Sequence, residues 1–272
     1  MICTKKISLV GYFRIYIVCM IKKIFRSELD LDNLSLKRSI PVEQVGKNLD
    51  YKKKVVSKPW GYEYLMFENE YVAIWILFLK HDFATSMHCH PNKKTSLMVL
   101  SGSVMTSTLD NQFVLHEGDG LIIEKGVFHS TKGTELEGAY IMEIETPVDK
   151  NDLVRLKDNY GRENKSYEGE RFMTDNTHEY EYCDFHGCEF VNSTHSREIK
   201  NVKFTIVHDE IKNIFEEVNL LANGRYCFLD NFIGIKKTKG IPLVGELFDS
   251  DNLKSIREHL SNNDKRILLV VN

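Results

Sequence analysis

Residues 85–102 read TSMHCHPNKKTSLMVLSG, with His88 and His90 two positions apart just after a long apolar run. On a β-strand, positions i and i+2 share a face, so both imidazoles would look the same way, as a pair of metal ligands must. A third histidine, His129, closes EGDGLIIEKGVFH and follows a Gly-containing turn. It can therefore fold back onto the face carrying the first two. Three neutral imidazoles with open positions make a catalytic type of site for a divalent ion: Zn²⁺, Fe²⁺, Mn²⁺, Ni²⁺ or Co²⁺. The competing reading is three satisfied polar residues in a barrel mouth; an HxH with a spaced third histidine in β context favours ligation.

The elements that must position these residues are short and β-rich. The runs at 71–80, 96–109, 112–126 and 138–146 are separated by turn sequences such as SG, LDNQ, EGDG and KGTELEG. Several strands at close, regular spacing predict an all-β sandwich or barrel, placed at 58–148. Residues 1–57 form an N-terminal extension, and a highly polar connecting segment covers 149–170. The region 171–272 reads as α+β, with helical spacing at 209–221 and 250–260 and strands in RYCFLDNFIGIKK and RILLVVN. A strand–turn–strand rhythm shared by 100–119 and 229–248 is compatible with a degenerate second β unit there.

Composition narrows the class. The 272 residues carry a formal net charge of -3, against the basic excess of a general nucleic-acid binder, and none is expected as a partner. Six scattered cysteines read as reduced thiols in a cytoplasm. The apolar stretch 8–22 is interrupted by Arg14 and is shorter than the ~20 residues of a stable membrane span. It predicts an extra strand or loosely packed extension, with a peripheral membrane contact as the alternative; Met20 is a second candidate start. CDFHGC (183–188) lacks zinc-finger spacing and predicts plain thiols.

HCHPNKKTSLMVLSG resembles the first cupin motif, and GDGLIIEKGVFH the second, with Gly118, Gly126 and His129 in place. The resemblance implies a cupin (double-stranded β-helix, jelly-roll) barrel, so the second β unit would be a degenerate cupin. It departs at two positions: Thr95 stands where the first motif has a glutamate, and Glu124 where the second has a proline. KPWGYEYL (58–65) and EIETPVDKNDLVRLKDNYGRE (143–163) further resemble the two ends of the cupin domain of type II phosphomannose isomerases, keeping Asp152, Val154, Arg155, Asp158, Tyr160, Gly161 and Arg162.

That family likeness implies aldose–ketose isomerisation of a sugar phosphate or nucleotide sugar, in carbohydrate or surface polysaccharide biosynthesis, by a homodimer. Such chemistry needs an electrophile for the developing oxyanion, a base to shuttle the proton, and cations for the phosphate. His88, His90 and His129 would hold the metal. Glu143 or Glu145 would be the base or a replacement ligand, with Arg155 in the catalytic set. Arg162, Lys58, Lys93 and Lys94 would bind the substrate. For Arg155 and Arg162 the plain alternative is a solvated salt-bridging tail, and for Lys93 and Lys94 a surface loop. Two further readings remain open: a non-catalytic sugar-binding or regulatory cupin, and a three-His iron dioxygenase. Cys89 would point away from its flanking histidines.

Overall fold

The computed structural model describes residues 4–6, 16–18, 20–38, 49–162, 169–190, 192–220, 224–230 and 242–272. Most of the apolar 8–22 stretch, residues 163–168 of the polar segment and 231–241 of the second strand–turn–strand rhythm lie outside them. Among the described residues no helix is long and apolar enough to cross a membrane.

The chain opens with a hairpin of β1 (Thr4–Lys6) and β2 (Tyr16–Val18), then β3 (Ile21–Ile24) and α1 (Glu28–Arg38). Next come β4 (Val55–Lys58), β5 (Gly61–Glu68), β6 (Ala73–Leu79), β7 (Met87–Cys89), β8 (Lys94–Ser101) and β9 (Ser103–Thr108). They are followed by β10 (Gln112–His116), β11 (Gly120–Ile123), β12 (His129–Gly133), β13 (Ala139–Thr146), β14 (Val154–Lys157) and β15 (Met173–Thr174). An eight-stranded sheet, β15-β4-β5-β6-β13-β8-β11-β3, faces a five-stranded one, β10-β9-β12-β7-β14. This is the expected cupin jelly roll. Strands outside 58–148 take part: β3 adds in parallel to β11, and β14 pairs with β7.

Residues 171–272 form the expected α+β region. β16 (Ser193–Ile199), β17 (Val202–Glu210), β18 (Arg225–Phe228) and β19 (Lys265–Val271) make one antiparallel sheet in the order β16-β17-β19-β18. Helices α2 (Ile211–Leu220) and α3 (Ser250–Arg257) pack their apolar residues, among them Ile214 and Ile256, on one face of that sheet. Among the described residues this is a single sheet with two helices, not the two facing sheets of a second cupin.

The large barrel sheet is covered on both sides, and its alternation sorts residues between two cores. From β5, β6, β8 and β13, Leu65, Trp75, Leu97 and Ile141 turn into the barrel. Met66, Ile76, Met98 and Met142 turn outward against Phe204, Ile206 and Leu269 of the C-terminal sheet. Double coverage explains why AIWILFL reads as an unbroken apolar run rather than an alternating one. Each such side chain taken out of water contributes roughly 1.5–3 kcal/mol.

Charged residues join the same interface. Lys94, on the outward face of β8, pairs with Glu246, which also receives Lys23 of β3 at 2.7 Å. Burial would raise the Glu246 carboxyl, but Lys23 and Lys94 outweigh it and hold it below its ordinary value of 4.5. A depressed carboxylate stabilises above its unfolded value and loses that contribution as pH falls through the folded one. Glu246→Ala is therefore expected to cost about 3 kcal/mol near neutral pH, the low end for losing one partner of a buried pair. In urea titrations, the gap between wild type and variant should shrink as pH drops below 4.5. A gap unchanged by acid would show that the ion pairs do not stabilise this interface.

Candidate metal centre

Strand pairing brings the three histidines together. His88 and His90 flank Cys89 at β7, and His129 begins β12, directly opposite His88 in register. Their ring centres stand 4.5–5.7 Å apart. Cys89 points the other way, into a small cluster with Leu34 of α1 and Phe128.

Each ring is oriented through one nitrogen. His88 Nδ1 donates to Ser86 O at 2.8 Å, His90 Nδ1 to Asp152 O at 2.6 Å and His129 Nδ1 to Val127 O at 3.0 Å. A backbone carbonyl can only accept, so these bonds place the proton on Nδ1 and leave every Nε2 lone pair available. His90 Nε2 is buried and has no hydrogen-bond partner among the described residues. Burial holds His88 and His90 well below the ordinary imidazole range, with the neighbouring His129 and Lys93 charges adding respectively, and burial also lowers His129. Neutral, pre-oriented rings with an orphaned buried nitrogen fit a divalent cation. All three ligand atoms lie within 4.8 Å of one another.

Glu143 and Glu145 turn inward on β13, where alternation continues the face of Ile141. They lie with His90 in a second group of side chains within ligand reach of one another. Glu145 stands in register beside Thr95 of β8. The Thr95 hydroxyl is buried without a partner among the described residues, and the position that carries a carboxylate in the resembled motif has one on the adjacent strand instead. Glu145 is held by Lys93 at 2.8 Å. Glu143 makes no hydrogen bond or ion pair among the described residues.

Their environments separate them. Burial pushes the Glu143 carboxyl up to about 7, with the negative charge of Glu145 adding. Burial acts likewise on Glu145, but Lys150 and Lys93 outweigh it and hold that carboxyl below its ordinary range. One protonatable and one permanently charged carboxylate, side by side, is a recurring acid–base arrangement.

The cations converge on the same cavity, with one exception. Lys58 pairs with Glu63 at 3.6 Å. Arg155 is buried beside His88 in register, and Arg162 forks onto Asp158 at 2.7 and 3.2 Å. Lys94, expected with Lys93 at the substrate, lies outside the cavity: adjacent strand residues face opposite sides, and Lys94 takes the outer one, against Glu246.

Three residues carry roles that the sequence did not reveal. Lys150 lies over the Trp75 ring, 3.5 Å from its centre, and 3.2 Å from Glu63. Burial alone would lower its ammonium, but Glu145, Glu63 and Glu143 reverse that. Glu63 faces inward from β5. Asp152 binds the backbone of Asn92 and Lys93 at 2.8 Å each, so it fixes the loop after His90 as well as the ring itself. In all, five cations and three carboxylates line the cavity, an excess suited to an anion.

CDFHGC makes no such site. Cys183 is buried, His186 Nε2 meets Leu65 O at 3.0 Å, and Cys188 contacts Arg197. Among the described residues, Cys183, Cys188 and Cys227 carry free thiols.

No family model matches the chain. Over 130 residues it is 23% identical to a mannose-1-phosphate guanylyltransferase of Klebsiella pneumoniae, covering 47% of this chain and 28% of that enzyme. The chain thus spans under a third of the length of the curated relative. Among solved structures, an RmlC-like cupin from Shewanella frigidimarina aligns at 13% identity and TM-score 0.33, covering 39% of this chain and 95% of that one. KdgF from Halomonas sp. aligns at 10% identity and TM-score 0.32, covering 41% and 92%.

Proposed function

We propose that this chain is a metal-dependent cupin of the mannose-6-phosphate isomerase type, interconverting an aldose phosphate and its ketose in the supply of activated sugars. The observation that carries the reading is the Glu143 carboxyl, without a hydrogen bond or ion pair among the described residues, in a cavity lined also by His88, His90 and a surplus of cations, with His90 shared between the histidine group and the carboxylate group. The weak likeness to a mannose-1-phosphate guanylyltransferase is compatible with sugar-phosphate chemistry. A cytoplasmic homodimer goes with this reading.

His88, His90 and His129 would hold the metal, which when bound supplies a Lewis acid for the oxygen that gains charge during enolisation. Glu143 takes the C2 proton of the aldose and returns it to C1, while the hydroxyl proton passes from O2 to O1, so composition is unchanged. Glu145, locked by Lys93, keeps its charge and orientation throughout. Arg155 and Arg162 grip the phosphate, with Lys58 and Lys150 adding positive charge at the cavity wall.

The orphaned Thr95 hydroxyl favours a second reading, a cupin that binds sugars without turning them over. One experiment separates the two. Mannose 6-phosphate incubated with metal-reconstituted protein in D₂O should give fructose 6-phosphate carrying deuterium at C1. Glu143→Gln is expected to slow this by about 10²–10⁴-fold, the usual worth of a positioned base. Tight sugar-phosphate binding with no turnover would leave the non-catalytic cupin standing. Oxygen uptake would instead identify the dioxygenase.

A further inference from the structure

The N-terminal segment that the sequence leaves without a role reaches the metal centre from behind. Asp30, in the first turn of α1, is only 2% exposed. Its Oδ1 accepts from Phe128 N at 2.8 Å, one residue before His129. Its Oδ2 accepts from Ser27 N at 2.8 Å and Ser27 Oγ at 2.9 Å, while Ser27 Oγ accepts from Asp30 N at 3.3 Å. This reciprocal capping box fixes the start of the helix and with it the carboxylate.

The loop that Asp30 grips is the one that sets His129. Val127 O orients the imidazole, and Gly126 N donates to His90 O at 2.8 Å, so the same few residues touch two ligands. Gly126 has φ +76, and a Cβ there would meet the Arg26 side chain at 3.1 Å. Leu34, one helical turn after Asp30, packs on Phe128 and Cys89, the residues beside His129 and between His88 and His90. Glu124 N donates to Ile24 O at 3.0 Å, closing the loop's other end onto β3.

We infer that Asp30 is an outer positioning residue of the metal centre, holding the 126–129 loop so that His129 Nε2 points at its two partners. The metal arm of the test rests on the metal reading above; the apo arm does not. Losing an outer partner of a ligand typically weakens metal affinity about 10–100-fold. In Co²⁺ titrations of the full chain, Asp30→Ala should bind that much more weakly and with an altered visible spectrum. Asp30→Asn, which keeps an acceptor for Phe128 N, should restore both. Ser27→Ala removes the cap but not the Phe128 bond; it should lower thermal stability and leave Co²⁺ affinity unchanged.

In the metal-free protein, ¹⁵N NMR should show His129 as one Nδ1-protonated tautomer, lost to exchange or mixing in Asp30→Ala while His88 keeps its own. Asp30→Ala with the wild-type His129 signature overturns the inference, as does an equal loss of affinity in Ser27→Ala. Wild-type protein that takes up no Co²⁺ sinks the metal reading instead, and the apo spectra still decide the role of Asp30.

Discussion

Replacing His88 and His90 together by alanine is expected to strip the protein of divalent metal while leaving its strands folded. His90 is buried and His88 half-buried, and both rings are neutral, so no charge is orphaned when they go. What is lost is two Nδ1–H donors to Ser86 O and Asp152 O, at about 1–3 kcal/mol for each carbonyl left unmet. The jelly-roll pairing of β7 with β12 and β14 runs through backbone groups that alanine retains. Elemental analysis of protein prepared without chelator or nickel resin should find near-stoichiometric metal in the wild type and none in the variant, with far-UV circular dichroism unchanged. Because Thr95 contributes no charge, such an ion would keep its full +2, giving stronger Lewis acidity and weaker retention than a site with a fourth, anionic ligand. Wild type that matches the variant's background even after reconstitution with divalent ions would end the metal reading and leave sugar binding to be screened.

The three histidines were legible because their spacing is a strand property: i and i+2 share a face, and a Gly turn returns the chain to it. Residue pairs one apart were harder. Lys93 and Lys94 are chemically equal in the sequence, and only the register of β8 shows that Lys93 enters the cavity with Thr95 and Leu97 while Lys94 faces Glu246. The same limit held Glu143 and Glu145 to a shared face of unknown direction. Asp30 was invisible for a different reason. Leu29, Leu31, Leu34 and Leu36 follow no helical period, and three of the four remain substantially exposed, so nothing marked which side of α1 is buried. Asp152 and Lys150 sit in a polar segment that reads as solvated, and the contacts of Asp152 with Asn92 and of Lys150 with Glu63 join parts of the chain that are far apart in sequence.

The second large effect is expected at Lys93. Its ammonium lies 2.8 Å from Glu145, with the two side chains 1% and 4% exposed. Lys93→Met preserves volume but leaves Glu145 inside the barrel with Lys150, 3.9 Å away, as its nearest remaining cation among the described residues. Removing one partner of a buried pair costs about 3–5 kcal/mol, because the survivor keeps its desolvation penalty without the attraction that offset it. Glu145→Gln in the same background neutralises the survivor, and replacing both members of such a pair is often nearly neutral. Chemical denaturation of wild type, the two single variants and the double variant closes a thermodynamic cycle. The double variant should recover most of the stability that Lys93→Met loses, and its coupling term should be large and favourable. The pair then acts as an internally neutral support: it occupies the flank of Thr95 without cancelling the charge of an ion at the histidines, and it keeps Glu145 from competing with Glu143 for the proton. A double variant as unstable as Lys93→Met would mean that Lys93 is needed for its contact with the cavity as a whole, and that Glu145 is not what holds it there.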